Sequence, residues 1–313
     1  SIQPHDRKVD EPAHHNITDP CLNPDTGMVA TAVRDSNGTP KFRMAVYDGD
    51  FISGEIQTNN AWEIHDPQQL ADLADGILSP PDDGVFIDIG GNLGYYSLLF
   101  AHRGNRVFYI EPLPRNYEAM QASLCMNPEL QRRVTVLPIA LSSETQAAQK
   151  TSTCRVSGAG WGRNNWGNGK LECGHRATCA ALGDSQTPCV DVQVETLDAV
   201  LQKHNIQRVA AVKMDIEGHE CPVLQGGKKL LSTVRPSFIQ FETKRGDDNC
   251  VTNLLAAAGY SIGTKKGHDG NTVASIQPHD RKVDEPAHHN ITDPCLNPDT
   301  GMVATAVRDS NGT

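Results

Sequence analysis

The sequence contains no long hydrophobic run. Its longest apolar stretches are "GVFIDIGG" and "YYSLLFA", which have the lengths of a strand and a helix. A membrane-spanning helix needs about 18 or more consecutive apolar residues. The 313 residues therefore predict no membrane span, and they are enough for one large domain or two small ones, each with a hydrophobic core.

Clusters of basic residues are missing as well. The chain has 28 Lys and Arg against 38 Asp and Glu, a net charge of −10, and its basic pairs in "GKKL" and "TKKG" are short and isolated. A nucleic-acid-binding surface needs a basic patch that neutralises phosphates. The composition therefore argues against a nucleic-acid partner, and it leaves the oligomeric state open.

One segment of the sequence occurs twice without a single difference. Residues 1–39 recur letter for letter as residues 275–313. Repeat architectures show several diverged copies at periods of about 20–50 residues, so perfect identity favours a recent duplication or a sequence-assembly overlap over a functional tandem element. The segment is polar and aperiodic. We interpret 1–39 as a polar arm that is mostly loop, and 266–313 as a linker followed by a disordered or artefactual copy.

Short β-rich runs alternate with helical patterns between residues 40 and 265. The runs predicted as strands are "VFIDI", "RVFYI", "VTVLPIA", "VAAVKMDI" and "SFIQFE". Strands that alternate with helices form a mostly parallel sheet covered on both faces. The sequence therefore predicts an α/β domain over 40–265.

A Gly- and Asn-rich insertion at 144–188 interrupts this pattern. Four cysteines lie in it or at its end: Cys154, Cys173, Cys179 and Cys189. They lack the tight C-x₂-C pairs of zinc ribbons, so two disulfides fit better than zinc, and free thiols remain the other alternative. Disulfides, with a glycosylation sequon at Asn16, favour the secretory pathway or the extracellular space, and the cytoplasm is the alternative. Cys125, on an apolar helix face, is interpreted as a core residue.

The sharpest local signal is "DIGGNLG", which follows a predicted strand and precedes a predicted helix. Asp88 ends the strand, and Gly90, Gly91 and Gly94 allow a tight turn. This order of elements binds nucleotides at a helix N-terminus. Asn92, however, interrupts the dinucleotide pattern G-x-G-x-x-G, and no G-K-[ST] follows. An acid without a lysine suits a ligand that has a cationic centre and no pyrophosphate, and S-adenosylmethionine is such a ligand.

A second acid supports this cofactor. Glu111 ends the next predicted strand, 23 residues after Asp88. An acid at this position accepts hydrogen bonds from ribose hydroxyls, as it does in nicotinamide enzymes. The sequence therefore predicts an S-adenosylmethionine site, and a nicotinamide oxidoreductase is the less fitting alternative because of Asn92.

Several segments together resemble a known family. "VFIDIGGNLGYYSLLFA", "IEPLPRNYEAMQ", "IALSSE", "ETLDAVL", "VKMDIEGHECPVLQGG" and "RPSFIQFE", in this order over about residues 42–263, resemble the FkbM family of S-adenosylmethionine-dependent methyltransferases. The resemblance implies a class I methyltransferase fold, a Rossmann-like three-layer sandwich whose seven-stranded, mostly parallel sheet has one antiparallel edge strand. It also implies O-methylation of a saccharide or another small hydroxylated acceptor.

The resemblance also implies roles for individual residues. Four positions would bind the methionine half of the cofactor: Asp88, Gly90, Asn92 and Gly94. Glu111 would hold the ribose, and Ala140 would lie near the adenine. The insertion is longer than the usual connection of the family, so the resemblance does not identify the acceptor. Its Trp161 and Trp166 either stack on a sugar or pack the loop onto the domain. A cofactor-binding domain without catalysis, whose insertion binds a protein, is the alternative function.

The stretch "VKMDIEGHE" supplies the candidate catalytic groups. Methyl transfer to a hydroxyl requires alignment of the acceptor oxygen and removal of its proton. The candidate bases are Asp215, Glu217 and His219. Helix capping by Asp215, with Gly218 easing the turn, is one alternative. A metal site is another, but only one pair of residues has ligand spacing, and we predict no metal. Glu220 is interpreted as a surface residue.

Overall fold

The computed structural model describes residues 19–81, 84–147, 153–158, 169–174, 177–182, 189–242, 248–267 and 270–276. Several sequence predictions lie outside this part of the chain. They concern the sequon at Asn16, the two tryptophans Trp161 and Trp166, and nearly all of the second copy, residues 277–313.

The strands of the described structure are β1 (Met28–Arg34), β2 (Pro40–Tyr47), β3 (Val85–Ile89), β4 (Arg106–Ile110), β5 (Val134–Leu137), β6 (Ala140–Leu141), β7 (Thr153–Ser157), β8 (Lys170–Gly174), β9 (Cys189–Val192), β10 (Val194–Glu195), β11 (Val209–Met214), β12 (Phe238–Phe241), β13 (Ser261–Ile262) and β14 (Thr272–Ser275). The strands predicted from the sequence correspond to β3, β4, β5 with β6, β11 and β12. These are runs of β-branched and aromatic residues, as expected for strands of a covered sheet.

The helices are α1 (Phe51–Asn59), α2 (Gln68–Asp72), α3 (Tyr95–Arg103), α4 (Pro114–Met126), α5 (Pro128–Gln131), α6 (Glu144–Ala147), α7 (Leu197–Lys203), α8 (Glu220–Gln225) and α9 (Asp248–Ala257). A π-helical turn spans Leu230–Val234, and 3₁₀ turns span Pro24–Thr26 and Cys179–Leu182. In the described part of the chain, every helix is too short or too polar to traverse a lipid bilayer.

Seven strands form the central sheet, in the order β13–β14–β12–β11–β3–β4–β5. The neighbours β12, β11, β3, β4 and β5 are parallel, whereas β14 runs antiparallel to both β12 and the edge strand β13. This confirms the α/β fold class with a seven-stranded, mostly parallel sheet. The antiparallel strand lies second from one edge.

Helices cover both faces of the sheet because successive strand residues point to opposite sides. Phe86 and its neighbour Ala211 face the core formed with α1 to α5. Ile87 and its neighbour Val212 face the second core, formed with α7, α8 and α9. The result is a three-layer sandwich. All four side chains are fully buried, so neither face of the sheet centre contacts water.

The sheet extends beyond residue 265, where the sequence predicted a linker. Strand β14 pairs with β12 and β13, and its Val273 and Ala274 are fully buried. The first two residues of the second copy therefore belong to the fold: Ser275 pairs with Phe238, and Ile276 is buried. The prediction of a linker failed here because "NTVASI" is short and becomes apolar core only when two strands flank it.

The described part of the N-terminal arm contains a strand as well as loop. Its residues 28–34 form β1, which pairs antiparallel with β2, and Val33 and Met28 are buried there. Cys21 forms a disulfide with Cys125 of α4. The interpretation of Cys125 as a core residue is therefore wrong, because Cys125 is exposed and forms a disulfide. A bridge between positions 104 residues apart in sequence leaves no spacing signal.

The described part of the insertion forms a small antiparallel sheet of its own, in the order β8–β7–β9. Cys154 lies directly opposite Cys173 across β7 and β8, and the two form a disulfide. A second disulfide joins Cys179 and Cys189. The four insertion cysteines therefore pair with one another, as the first of the three alternatives predicts. A fourth disulfide, Cys221–Cys250, joins α8 to α9 and was not predicted.

The position of Ile276 in the core gives a direct stability test. We expect Ile276→Ala to lower the free energy of unfolding by about 2–4 kcal/mol, because it leaves a cavity in the core. Ile77→Ala is the matched control, since Ile77 is 84% exposed and should change stability by no more than about 0.5 kcal/mol. Equal effects in chemical denaturation would show that the start of the second copy is not part of the fold.

Candidate active site

A large cavity lies at the carboxyl ends of β3, β4 and β11, and it encloses about 1210 Å³ including its open mouth. In this sheet the chain first continues from β3 to β4 and β5, and β11 later returns to the other side of β3. Open α/β sheets bind their ligands at such a reversal of strand order. The cavity therefore lies where sheets of this kind bind small molecules.

The glycine loop after β3 forms the cavity floor. Gly90 has a φ of +76°, and a Cβ at this position would overlap the carbonyl oxygen of Asp215. A Cβ at Gly91 would overlap the ring of Tyr109. Glycine is therefore needed at Gly90 to bring the β3 loop against the β11 loop, and at Gly91 to pack the same loop against β4. Asn92 also has a positive φ, of 49°, a conformation that asparagine tolerates better than most residues.

Glu111 lies at the end of β4, on the cavity wall. Its side chain is buried. Its carboxylate accepts hydrogen bonds from the backbone N–H groups of Asn92 (3.0 Å) and Leu113 (2.9 Å). Burial raises the pKa of Glu111 to about 7, and these hydrogen bonds act in the opposite direction. The Asn116 side chain also donates a hydrogen bond to this carboxylate. Two carboxylate oxygens offer about four acceptor sites, so one remains for a ribose hydroxyl.

Two predicted cofactor residues do not line the cavity in the described structure. Asp88 is fully buried behind the glycine loop, where it accepts a hydrogen bond of 2.7 Å from Ser97 Oγ. Burial raises its pKa, opposed mainly by the charge of Lys213. Gly94 is the residue before α3, and a Cβ there would overlap the sulfur of Met120. Both residues therefore support the loop from behind.

Lys213 is a site residue that the sequence reasoning did not select. It is buried at the end of β11, its Nζ lies 3.3 Å from Asp215 Oδ2, and it sits 5.0 Å above the ring centre of Tyr96. Burial lowers the pKa of Lys213, but the charges of Asp215, Asp88 and Glu63 outweigh it and raise the pKa above its usual value. The signal was present in "VKMDI", where a lysine interrupts an otherwise apolar strand.

The three predicted bases all line the cavity. Asp215 is partly exposed there and is ion-paired with Lys213. Glu217 has a φ of +58°, and the chain then turns at Gly218, whose φ is +90°. His219 places Nε2 2.9 Å from Ser142 Oγ. The turn thus brings two carboxylates and an imidazole to one wall of the cavity.

The helix-capping alternative for Asp215 is not supported by the structure. Helix α8 begins at Glu220, the preceding residue is His219, and no side chain caps this end. Glu220 itself is buried and accepts a hydrogen bond of 3.0 Å from the backbone N–H of Ile216. The prediction that Glu220 is a surface residue is therefore wrong, because the loop folds back over its carboxylate. Among the described residues there is no cluster of three or more His, Cys, Asp or Glu that could hold a metal ion.

Apolar residues form the remaining walls. Ala140 of β6 is buried beside the cavity, and its neighbours Ile139 and Leu141 line it too. The insertion contributes Val156 and Leu171, which pack with Leu113. Phe51 of α1 and Trp62 line the cavity as well. The sequence offered no signal for the α1 and β7–β8 contributions, because only the folded chain brings these segments to the site.

Comparison with known protein families decides the class of protein. The model of the methyltransferase FkbM domain matches residues 88–262, which span the cavity from the glycine loop to β13. The chain belongs to the FkbM methyltransferase family. The resemblance seen in the sequence is thereby confirmed, and the protein is a methyltransferase.

Curated relatives of this methyltransferase have the same general activity at low sequence identity. Hexuronic acid methyltransferase AglP of Haloferax volcanii is 24% identical over 225 residues, which cover 70% of this chain and 82% of that protein. Methyltransferase sdnD of Sordaria araneosa is 24% identical over 235 residues, which cover 71% of this chain and 85% of that protein. Among solved structures, a precorrin-6y C5,15-methyltransferase from Geobacter metallireducens matches with a TM-score of 0.34 and 14% identity, covering 66% of this chain and 85% of that one.

Family membership gives S-adenosylmethionine as the methyl donor of this FkbM methyltransferase. When bound, this cofactor supplies an electrophilic methyl group on a sulfonium. The cavity suits this cofactor. Glu111 provides a buried carboxylate that can accept a further hydrogen bond, and Leu113 and Ile139 provide apolar walls for a purine.

The buried carboxyl group of Glu220 predicts a pH-dependent stability. Burial raises its pKa from 4.5 to about 7, so between these pH values the folded enzyme binds more protons than the unfolded chain. The contribution of the Glu220 carboxyl group to the free energy of unfolding is therefore greatest below pH 4.5, and it is lost as the pH rises to about 7. Glu220→Gln keeps an acceptor for the Ile216 N–H and removes the titration. We expect the free energy of unfolding of Glu220→Gln, relative to that of wild type, to rise by on the order of 1–3 kcal/mol between pH 4.5 and pH 8.

Denaturation curves at several pH values measure this difference. Glu118→Gln is the matched control, because Glu118 is exposed on α4 and should leave the pH profile of the wild type unchanged. A Glu220→Gln profile parallel to that of wild type would contradict the assignment of a raised pKa to this buried carboxyl group.

Proposed function

We propose that this protein is an S-adenosylmethionine-dependent O-methyltransferase that acts on a hydroxyl group of a saccharide or of a similarly hydroxylated small molecule. The observation that carries the proposal is the ion pair between Lys213 and Asp215 in the same cavity as the glycine loop and Glu111. The pair presents a carboxylate oxygen beside the place where a cofactor methyl group would face an acceptor. The hexuronic acid named for the Haloferax volcanii relative supports a saccharide acceptor.

Cofactor binding is assigned to four of the six predicted residues, and the other two are assigned to support of the loop. Glu111 would accept hydrogen bonds from the ribose, and Ala140 would contact the adenine. Gly90 and Asn92 would bring the loop backbone to the methionine part, with Asp88 and Gly94 holding that loop in place. A glycine loop of this kind binds its ligand by close backbone approach, which side chains would block.

Asp215 is the preferred base. Its carboxylate lines the cavity and is partly exposed, so an acceptor hydroxyl can reach it. Lys213 fixes one of its oxygens, Oδ2, and thereby orients the other toward the cavity. His219 Nε2 contacts Ser142, and Glu217 lies further along the same wall, so these two are proposed to bind and orient the acceptor. Proton removal by a positioned side chain contributes about 10²–10⁴-fold to rate.

The working compartment is proposed to be oxidising. The described residues contain four disulfides, two of them in the insertion beside the cavity. Structural disulfides persist in secreted and extracellular proteins and are rare in the cytosol. The secretory pathway or the extracellular space is therefore the proposed location, and a cytoplasmic location would require these cysteines to be reduced.

Replacement of Glu111 tests the cofactor site. We expect Glu111→Gln to weaken S-adenosylmethionine binding by about 10- to 100-fold, because a hydrogen bond to a charged group is worth about 1.5–3 kcal/mol. Isothermal titration with the cofactor measures the effect. Glu118→Gln, at an exposed position of α4, should bind like wild type. Unchanged affinity in Glu111→Gln would remove Glu111 from the cofactor site.

Replacement of Asp215 tests the chemistry and, with it, the proposed function. Wild-type enzyme with radiolabelled S-adenosylmethionine should transfer the methyl group to members of a panel of saccharides and small hydroxylated compounds. On an accepted substrate, Asp215→Asn should lower turnover about 10²- to 10⁴-fold with cofactor affinity changed less than about threefold. Glu217→Gln and His219→Gln should raise KM more than they lower kcat. If Asp215→Asn lost only cofactor affinity, the role of Asp215 as the base would be refuted. If the wild-type enzyme transferred the methyl group to none of the hydroxyl compounds, the proposed function would be refuted.

A further inference from the structure

An aromatic side chain stands exposed at the cavity. Among the described residues, three large apolar side chains are exposed: Val29, Phe51 and Ile77. Of these, only Phe51 lines the cavity, and its exposed fraction is 55%. Burial of such a ring would gain on the order of 1.5–3 kcal/mol, so its exposure next to a binding cavity suggests that a ligand covers it.

The ring of Phe51 is held in place by its surroundings. Phe51 is the first residue of α1, and Asp50 caps that helix: its Oδ2 accepts hydrogen bonds from the backbone N–H of Ser53 at 3.0 Å and from Ser53 Oγ at 2.8 Å. Trp62 lies against Phe51 with an interplanar angle of 88° and a centroid distance of 6.1 Å. Edge-to-face geometry of this kind is favourable. Phe51 and Trp62, called here the aromatic corner, therefore form a defined surface at the cavity.

The charges around the cavity restrict what this surface can bind. Lys213 is the one described lining residue with a permanent positive charge. Its charge already interacts with the carboxylates of Asp215, Asp88 and Glu63. Three acidic side chains, in contrast, line the cavity: Glu111, Asp215 and Glu217. Among the described lining residues, a negatively charged acceptor would meet net repulsion and no cation that is free of carboxylates. The cavity therefore favours an uncharged acceptor.

We propose that the aromatic corner is the acceptor subsite and that it stacks on the C–H face of an uncharged sugar ring, whose hydroxyl groups face the acidic wall. The proposal deepens the proposed function and rests on it. A pyranose ring carries C–H groups on one face and hydroxyls around its edge, which matches a negative aromatic face on one side and carboxylate acceptors on the other. The structure thus points to a neutral hexopyranose in preference to a uronic acid.

Binding of simple glycosides to the cofactor-product complex tests this assignment. The probes are a methyl hexopyranoside and the corresponding methyl hexopyranosiduronic acid, each titrated by saturation-transfer NMR into enzyme loaded with S-adenosylhomocysteine. We expect the neutral glycoside to bind more tightly than the acid at pH 7.5. Phe51→Ala should weaken binding of the neutral glycoside about 3- to 10-fold, because an aromatic contact is worth about 0.5–1.5 kcal/mol.

Two further variants separate stacking from general apolar contact. Phe51→Tyr keeps the aromatic face and should bind the neutral glycoside like wild type, whereas Phe51→Leu keeps an apolar side chain and should bind like Phe51→Ala. Ile77→Ala is the matched surface control, because Ile77 is exposed away from the cavity. Affinity for S-adenosylhomocysteine should be the same in all four variants, which shows that the cofactor site is intact.

The outcomes distinguish the subsite from the function. Glycoside binding that depends on the ring of Phe51, without methyl transfer, would support the subsite and refute the proposed function. Methyl transfer or glycoside binding that is unchanged in Phe51→Ala would overturn the subsite and leave the function standing. Failure of wild type to bind the neutral glycoside, or tighter binding of the acid, would also overturn the subsite.

Discussion

The site depends on one buried charge, the ammonium group of Lys213. Lys213 and Asp88 are direct partners across the parallel strands β11 and β3, and both are buried. A single charge left alone in this place would cost several kcal/mol, whereas paired charges can be accommodated. Lys213 therefore compensates Asp88 below the glycine loop and also fixes Asp215 above it. Support of the cofactor loop and orientation of the proposed base come from the same side chain.

A second group of polar contacts ties distant segments to this charge. Glu63 contributes to the field at Lys213, and it accepts hydrogen bonds from Tyr96 (3.0 Å) and Asn271 (2.8 Å). Asn271 directly precedes β14. The segment after residue 265, which reads as a linker, therefore contributes both a sheet strand and a contact within reach of the active site. Removal of this segment would expose core and would also disturb the carboxylate next to Tyr96.

The insertion adds to the cavity what the common fold does not supply. Its β7 and β8 are cross-linked by Cys154–Cys173, and they bring Val156 and Leu171 to the cavity. A short antiparallel sheet has little core of its own and is marginal in isolation. Its disulfides and its contact with Leu113 give it a fixed position. With this position fixed, Val156 and Leu171 add apolar surface to the wall of the cavity.

Features that depend on local order along the chain were predictable from the sequence. Strand, glycine loop and helix follow one another along the chain, so the fold class, the loop at Gly90 and the acids Glu111 and Asp215 at strand ends could be recognised from pattern and spacing. The other features arise only when the chain is folded. Folding places Asp88 behind the loop, buries Glu220, joins Cys21 to Cys125 and brings Phe51 to the cavity. The physical reason is that burial, charge compensation and cavity walls arise between residues far apart in sequence, and a one-dimensional pattern does not encode which distant side chain will cover or neutralise another.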